Sequence, residues 1–233
     1  MDTEVPMRGL LTLLQFSDSA YPTGAYAHSF GLEGLVELGL IRDASGAETY
    51  LRENALPAIG RTELPYVYWS HAAARVQDID RLCALDDEYH ALRGSRELRE
   101  SSIKVGAQRV ALAAEFMPTD WTCSLRAALD AGRWRGHLPV AFGALGASAG
   151  ATDTDTVAAF TYQQVAGALA ALTKLLRIGQ RAAQGMLTRL LAESVRWQEE
   201  ARRMDPESIG WFTPGLDIGS ARHETAYTRL FIS

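Results

Sequence analysis

Apolar residues recur at steps of three and four along most of the chain, which is the spacing of one face of an α-helix. The clearest example is VAAFTYQQVAGALAALTKLLRIG, whose apolar stripe is Val157, Phe160, Val165, Leu169, Leu172 and Leu176. Asp153 or Asp155 is a fitting N-cap for this helix, and Gly179 predicts its end or a kink. A further helix on the same pattern follows in QRAAQGMLTRLLAESVRWQEEARR.

The same spacing predicts the earlier helices. They cover residues 7–16, 25–39, 44–59, 61–76, 79–92, 95–116, 121–131 and 139–149. No segment shows the strict alternation of a half-buried strand, and no fixed-period repeat or low-complexity tract divides the chain. We therefore predict an all-α fold, with a single bundle of roughly nine to ten helices. Residues 1–203 form this helical domain, and residues 204–233 form an irregular docking tail.

Composition limits the possible classes of function. A net charge of −5 over 233 residues argues against a general binder of nucleic-acid backbone. Cys83 and Cys123 lie far apart and form no CxxC pair, so they are interpreted as buried thiols in a reducing compartment. No cationic leader is present, and no apolar run reaches the ~18 residues of a membrane span. The sequence predicts a soluble, cytoplasmic protein.

Two stretches are rich in small residues. They are FGALGASAGA at 142–151 and AGALAALT at 166–173. Small side chains allow two helix axes to approach closely, either inside the core or across a dimer interface. The sequence does not separate these two interpretations.

The tail differs in character from the helices before it. From Met204 onward it has two prolines, three glycines and no sustained helical period. Its apolar residues are Trp211, Phe212, Tyr227, Leu230 and Phe231, which is too much apolar surface for a solvated tail. It must dock either on a partner protein or on the body of its own chain, and both hypotheses stay open.

The segment SDSAYPTGAYAHSFGLE, residues 17–33, concentrates polar and turn-forming residues. Pro22 fixes φ and Gly24 permits a left-handed turn, which predicts a chain reversal into a helix that starts near Ala25. We expect Tyr26, His28, Ser29 and Glu33 to line the first turns of that helix. These side chains either brace the turn or form part of a polar surface that binds a partner.

Motifs for enzyme chemistry are absent from the sequence. No GxxxxGK[ST] or GxGxxG loop is present to cradle a phosphate. The five histidines are scattered, and His28 and Glu33 are five residues apart, which does not match the i, i+4 spacing of a metal-binding helix. GxSxG is also absent. We predict no catalytic residue, metal site or cofactor for this chain.

Five landmarks in order resemble the family of urease accessory protein F (UreF). They are LLQFSDSAYPTGAYAHSFGLE, RELRESSIKVGAQRVAL, GHLPVAFGALGASAG, LLRIGQRAAQGML and DIGSARHETAYTRLFIS, which together span residues 11–233. The chain departs from the family pattern at Arg177, where the family has proline, at Ile178, where it has leucine, and at Ile232, where a basic residue is common. The proline-dependent helix break near Arg177 is therefore in doubt.

The resemblance implies an all-α, non-enzymatic accessory protein. Such proteins bind the scaffold UreD, also called UreH, and recruit and modulate the GTPase UreG, and the assembly delivers nickel to apo-urease in a GTP-dependent step. The resemblance also implies a homodimer and a C-terminal segment that orders against the scaffold. The residues it assigns to scaffold docking are Arg222, His223, Glu224, Tyr227, Arg229, Leu230 and Phe231. The second set of expected partner contacts lies near the turn and consists of Tyr26, His28, Ser29 and Glu33. The third set is a pair of basic contacts for the GTPase, Lys104 and Arg109.

A hypothesis from a different class is a small all-α enzyme. It would use His28, Glu33 and His223 as acid–base or metal groups, and it requires the three side chains to converge in one water-shielded pocket.

Overall fold

The regular structure of the chain consists of helices. The computed structural model describes residues 4–25, 28–211, 214–223 and 230–231, and within these ranges it contains no β-strand. The helices are α1 (Glu4–Ser17), α2 (Leu32–Glu37), α3 (Ala44–Tyr50), α4 (Leu56–Ala58), α5 (Leu64–Arg75), α6 (Ile79–Leu92), α7 (Arg96–Phe116), α8 (Asp120–Asp130), α9 (Leu138–Ser148), α10 (Asp153–Leu176), α11 (Gln180–Arg202) and α12 (Pro214–His223). The predicted all-α fold is confirmed.

Several helices begin where a side chain accepts a hydrogen bond from a free backbone N–H. Asp43, Ser95 and Thr119 cap α3, α7 and α8 in this way. Thr152 caps α10, one residue before the predicted Asp153. Asp153 and Asp155 instead lie in the first turn of α10, where their charge is favourable for the helix dipole.

The helix predicted for residues 25–39 is shorter than expected. Phe30 and Gly31 have φ of 52° and 87°, which no right-handed helix contains, so α2 begins only at Leu32. The reverse error occurs further on, where two predicted helices form one continuous helical segment over residues 44–75. Two π-helical turns, Leu51–Ala55 and Ile59–Glu63, join its three α-helical parts.

The break after α10 is present despite the missing proline. Arg177 adopts the left-handed conformation at φ 53° and ends the helix. Gly179 then serves as the N-cap residue of α11. The doubt that the sequence raised about this break is therefore resolved in favour of a break.

The tail contains a helix that the sequence pattern did not predict. α12 packs against α2 and α7 within the described residues. A Cβ added to Gly34 would overlap the carbonyl oxygen of Gly219, so α2 and α12 cross with their backbones in contact. The expectation of an irregular tail is wrong over residues 214–223, which are helical. The sequence pattern did not indicate this helix because it lacks an apolar stripe and packs through the close contact of Gly219 with Gly34.

Two apolar clusters form the core. The larger one surrounds α9, whose residues from Leu138 to Gly146 are all buried. Gly143 lies against the backbone of α5, and Gly146 lies against Thr156 of α10. The small residues of 142–146 therefore serve packing inside the chain. The second cluster lies between α2, α3, α10 and α11 and includes Phe231 from the tail.

Candidate partner-docking site

The first half of the turn before α2, residues 18–24, has the turn-forming contacts that the sequence predicts. Asp18 accepts a hydrogen bond from the backbone N–H of Ala20 at 2.7 Å, which closes a local turn. Gly24 has φ of 75°, the left-handed conformation that only glycine adopts at little cost. The chain therefore bends at Pro22 and Gly24 as predicted, and two further left-handed residues, Phe30 and Gly31, follow before the helix.

His28 and Ser29 lie before α2 and do not line its first turns. Both are buried, and the Ser29 hydroxyl accepts a hydrogen bond from the backbone N–H of Glu33 at 3.4 Å. Ser29 thus braces the start of the helix. Tyr26, which the sequence placed beside them, lies outside the described residues.

Glu33 connects the turn to the far end of the chain. One carboxylate oxygen accepts a hydrogen bond from the backbone N–H of Leu230 at 2.7 Å. The other oxygen accepts one from the backbone N–H of Phe231 at 3.0 Å. Since Glu33 is only 4% exposed, these charge-assisted bonds lie in a site shielded from water. We call Glu33, Leu230 and Phe231 the terminal clasp.

The structure describes only some of the other tail residues that were predicted to contact a partner. Glu224, Tyr227 and Arg229 lie outside the described residues, and Arg222 and His223 are described only as the backbone end of α12. Two hydrogen bonds fix α12 to α7. The hydroxyl oxygens of Ser220 and Ser95 are 2.7 Å apart, and the Ser220 hydroxyl donates to the carboxylate of Glu97 at 3.1 Å. The tail therefore docks on its own chain at α12 and at the terminal clasp.

The two predicted basic contacts have different environments. Lys104 is exposed. Burial lowers the pKa of His28, the nearby charge of Lys104 lowers it further, and Glu97 opposes them. The structure thus brings Lys104 into the neighbourhood of the turn.

Arg109 lies in the core, which corrects its interpretation as a surface contact. It has no exposed surface, and it donates a hydrogen bond to the carbonyl of Phe16 at 2.6 Å, at the C-terminal end of α1. The rings of Phe16, Tyr21 and Phe142 surround its guanidinium. Burial lowers its pKa to about 10. Arg109 therefore caps α1 from inside the protein.

A large cavity, which no motif in the sequence predicts, adjoins the turn. Its volume is about 840 Å³, and its wall includes His28, Ser29 and the small residues of α10. Glu63, at the end of the second π-helical turn, lines it and pairs with Arg93 at 2.8 Å. Gln164 donates to the same carboxylate at 2.7 Å. π-helical turns often occur at functional sites, but no residue pattern in the sequence marks these two.

A histidine pair lies behind this cavity. Nδ1 of His90 is 3.0 Å from Nε2 of His137, and Nδ1 of His137 is 3.2 Å from the Ser102 hydroxyl, which lines the cavity. Asp86 holds the backbone here by accepting from the N–H groups of Arg135 and His137. Burial lowers the pKa of His137 to about 3, and the charge of His90 acts in the same direction.

This burial predicts acid sensitivity. Since His137 has a lower pKa in the folded chain than the ~6.5 of an unfolded one, its contribution is complete above ~6.5 and is lost as pH falls toward 3. The free energy of unfolding should fall by about 2 kcal/mol between pH 7 and pH 5 from this residue. His28, His71 and His90 act in the same direction, and Asp86, whose pKa burial raises, opposes them.

Urea unfolding at both pH values measures the effect. His137→Gln should remove that part of the pH dependence, whatever its effect on stability at pH 7. An unchanged pH dependence in the variant would contradict the assignment to His137.

The chain is similar to known proteins over most of its length. Residues 41–191 match the UreF family. A urease accessory protein UreF of Arthrobacter sp. (strain FB24) is 30% identical over 223 residues, which is 96% of this chain and 96% of the relative. The chain belongs to the UreF family. A second relative of the same description, from Paenarthrobacter aurescens (strain TC1), is 30% identical and covers 96% of this chain and 97% of its own length.

Membership confirms the resemblance that the five landmarks indicated and identifies a urease accessory protein, in a family of accessory proteins and not of enzymes. Of the three groups in the enzyme hypothesis, Glu33 accepts two backbone N–H groups, and the side chain of His223 lies outside the described residues. Among the described residues, no group of three or more His, Cys, Asp or Glu side chains could hold a metal ion. No helix in the described ranges could span a membrane.

Proposed function

We propose that this chain bridges the accessory scaffold UreD, or UreH, and the GTPase UreG, and so supports GTP-dependent delivery of nickel to apo-urease in the cytoplasm. Nickel is the cargo of the assembly in this proposal, and the GTPase supplies the nucleotide chemistry. The observation that carries it is the terminal clasp, which joins the start of α2 to the C-terminal segment. A protein that works by contact requires such a fixed surface more than it requires a reactive pocket.

The proposal assigns separate surfaces to separate partners. The scaffold binds the tail and the turn around Glu33, and the exposed Lys104 contributes a basic contact for the GTPase. Electrostatic contacts of this kind favour fast and specific association more than tight binding.

A homodimer is part of the proposal. Four large apolar side chains of α1, which are Met7, Leu10, Leu11 and Leu14, are 43–60% exposed. Their spacing places them on one face of the helix, and such an apolar face on a surface helix favours association. Leu10 and Leu14 also line the mouth of the cavity.

Coexpression with the scaffold and the GTPase tests the proposal. Size-exclusion chromatography with light scattering should show a dimer of the free chain and a complex that contains the scaffold and then captures the GTPase. Deletion of residues 223–233 should abolish scaffold binding and leave helical content nearly unchanged by circular dichroism. Absence of any complex between folded wild-type proteins would refute the bridging function. Loss of helical content in the truncated chain would assign the tail to the stability of its own domain.

A further inference from the structure

We propose that Glu33 is a positioning residue that holds the end of the chain so that Leu230 becomes an apolar anchor for a partner protein. This inference rests on the proposed function and specifies one contact within it. The contact is a single leucine side chain presented by a buried carboxylate, and its partner is an apolar pocket with an acidic rim.

The geometry of the carboxylate fixes two consecutive residues. Each oxygen of Glu33 takes one backbone N–H, from Leu230 at 2.7 Å and from Phe231 at 3.0 Å. A carboxylate that binds two neighbouring N–H groups sets the direction of the backbone as well as its position. The side chains of the two residues consequently have fixed and different environments.

Phe231 is the inner side chain of the pair. It is 6% exposed and belongs to the second core cluster, and the ammonium of Lys174 lies 5.4 Å from its ring centre. Such a cation–π contact adds to the apolar burial. Phe231 therefore anchors the clasp to its own chain.

Leu230 is the outer side chain of the pair. It is 64% exposed, although its backbone N–H is bound to a buried carboxylate. An exposed leucine on a fixed backbone loses less conformational entropy on binding than one on a free chain end. Burial of an exposed leucine side chain in an apolar pocket is favourable, because its apolar surface is removed from water.

The charge beside the clasp defines the rim of the partner pocket. Lys174 is exposed, and no carboxylate among the described residues pairs with its ammonium. An acidic side chain on the partner, placed beside the apolar pocket, would therefore be complementary to this surface.

The test uses the full chain with the scaffold and the GTPase, and measures scaffold affinity. Leu230→Asp should weaken it more than tenfold while the urea midpoint of the free chain stays unchanged. Leu40→Asp is the matched control, since Leu40 is 63% exposed and is not part of the terminal clasp, and it should bind as wild type does. Glu33→Gln replaces one acceptor with a donor and should also weaken binding more than tenfold.

The double variant Glu33→Gln/Leu230→Asp separates positioning from general stability. If Glu33 acts through Leu230, the double variant should bind no worse than the weaker single variant, within about twofold. Multiplied losses, or wild-type affinity of Leu230→Asp, would overturn the inference. A lower molecular mass of Leu230→Asp without partners would also overturn it, by assigning Leu230 to the homodimer. If wild type binds no scaffold, the proposed function fails instead.

Discussion

Replacement of Arg109 by alanine is expected to lower the free energy of unfolding by about 3–5 kcal/mol, the range for emptying a large side-chain volume in a core. Arg109 is among the largest fully buried side chains of the chain, and three aromatic rings pack around it. The variant would also leave the Phe16 carbonyl without its donor. Urea unfolding followed by circular dichroism measures the loss.

Arg109→Met is the control, because it restores most of the volume and removes the charge. Burial lowers the pKa of Arg109 to about 10, which shows that the charged form is disfavoured at this site. Replacement of a buried charge by an apolar side chain is often nearly neutral, so methionine should recover most of the lost stability. It should also leave partner binding intact. A methionine variant as unstable as the alanine variant would show that the charge, and not the volume, carries the effect.

Substitution of Gly34 by alanine should weaken scaffold binding more than tenfold. The added Cβ would overlap the Gly219 carbonyl, so α12 must move away from α2, at a cost of about 1–3 kcal/mol. The terminal clasp begins one residue earlier, at Glu33, and would move as well. Scaffold affinity and urea unfolding of the same preparation separate the two effects.

Gly167→Ala provides the matched control on another helix. A Cβ at Gly167 has no neighbour within 4 Å, and alanine favours the helix by about 1 kcal/mol over glycine. This variant should therefore be slightly more stable than wild type and bind the scaffold equally well. Wild-type scaffold affinity in Gly34→Ala would show that the crossing of α2 and α12 does not position the docking surface.

The helices could be predicted because their signals are local. The apolar stripe of α10 and the capping side chains at Ser95 and Thr119 act within one or two helical turns. The left-handed pair Phe30 and Gly31 could not be predicted, since a non-glycine residue with positive φ has no reliable sequence signal.

The burial of Arg109 could have been predicted from its position in the sequence, although its charge suggested a surface contact. It is four residues after Val105 and three before Leu112, both buried, so it lies on the core-facing stripe of α7. A charged residue on such a stripe indicates an internal partner before it indicates a surface contact. Lys104, on the exposed face, lacks this pattern.

The terminal clasp, unlike the burial of Arg109, could not be predicted from the sequence. The sequence predicts Glu33 in the turn, and Leu230 and Phe231 in the tail, as partner contacts. Their contact could not be predicted, because 197 residues separate Glu33 from Leu230 and no periodicity relates them. Of the two alternatives for the tail, docking on the chain's own body is present at α12 and at the terminal clasp, and docking on a partner stays a prediction.

The separation of Glu33 from Leu230 also determines when the clasp forms during folding. Contacts between distant residues carry a large loop-closure cost until the intervening chain is ordered. The clasp therefore closes after the helices between its two parts have packed. Interactions that form late slow unfolding and leave the folding rate almost unchanged. The clasp is thus expected to prolong the lifetime of the folded tail without changing how fast the chain folds.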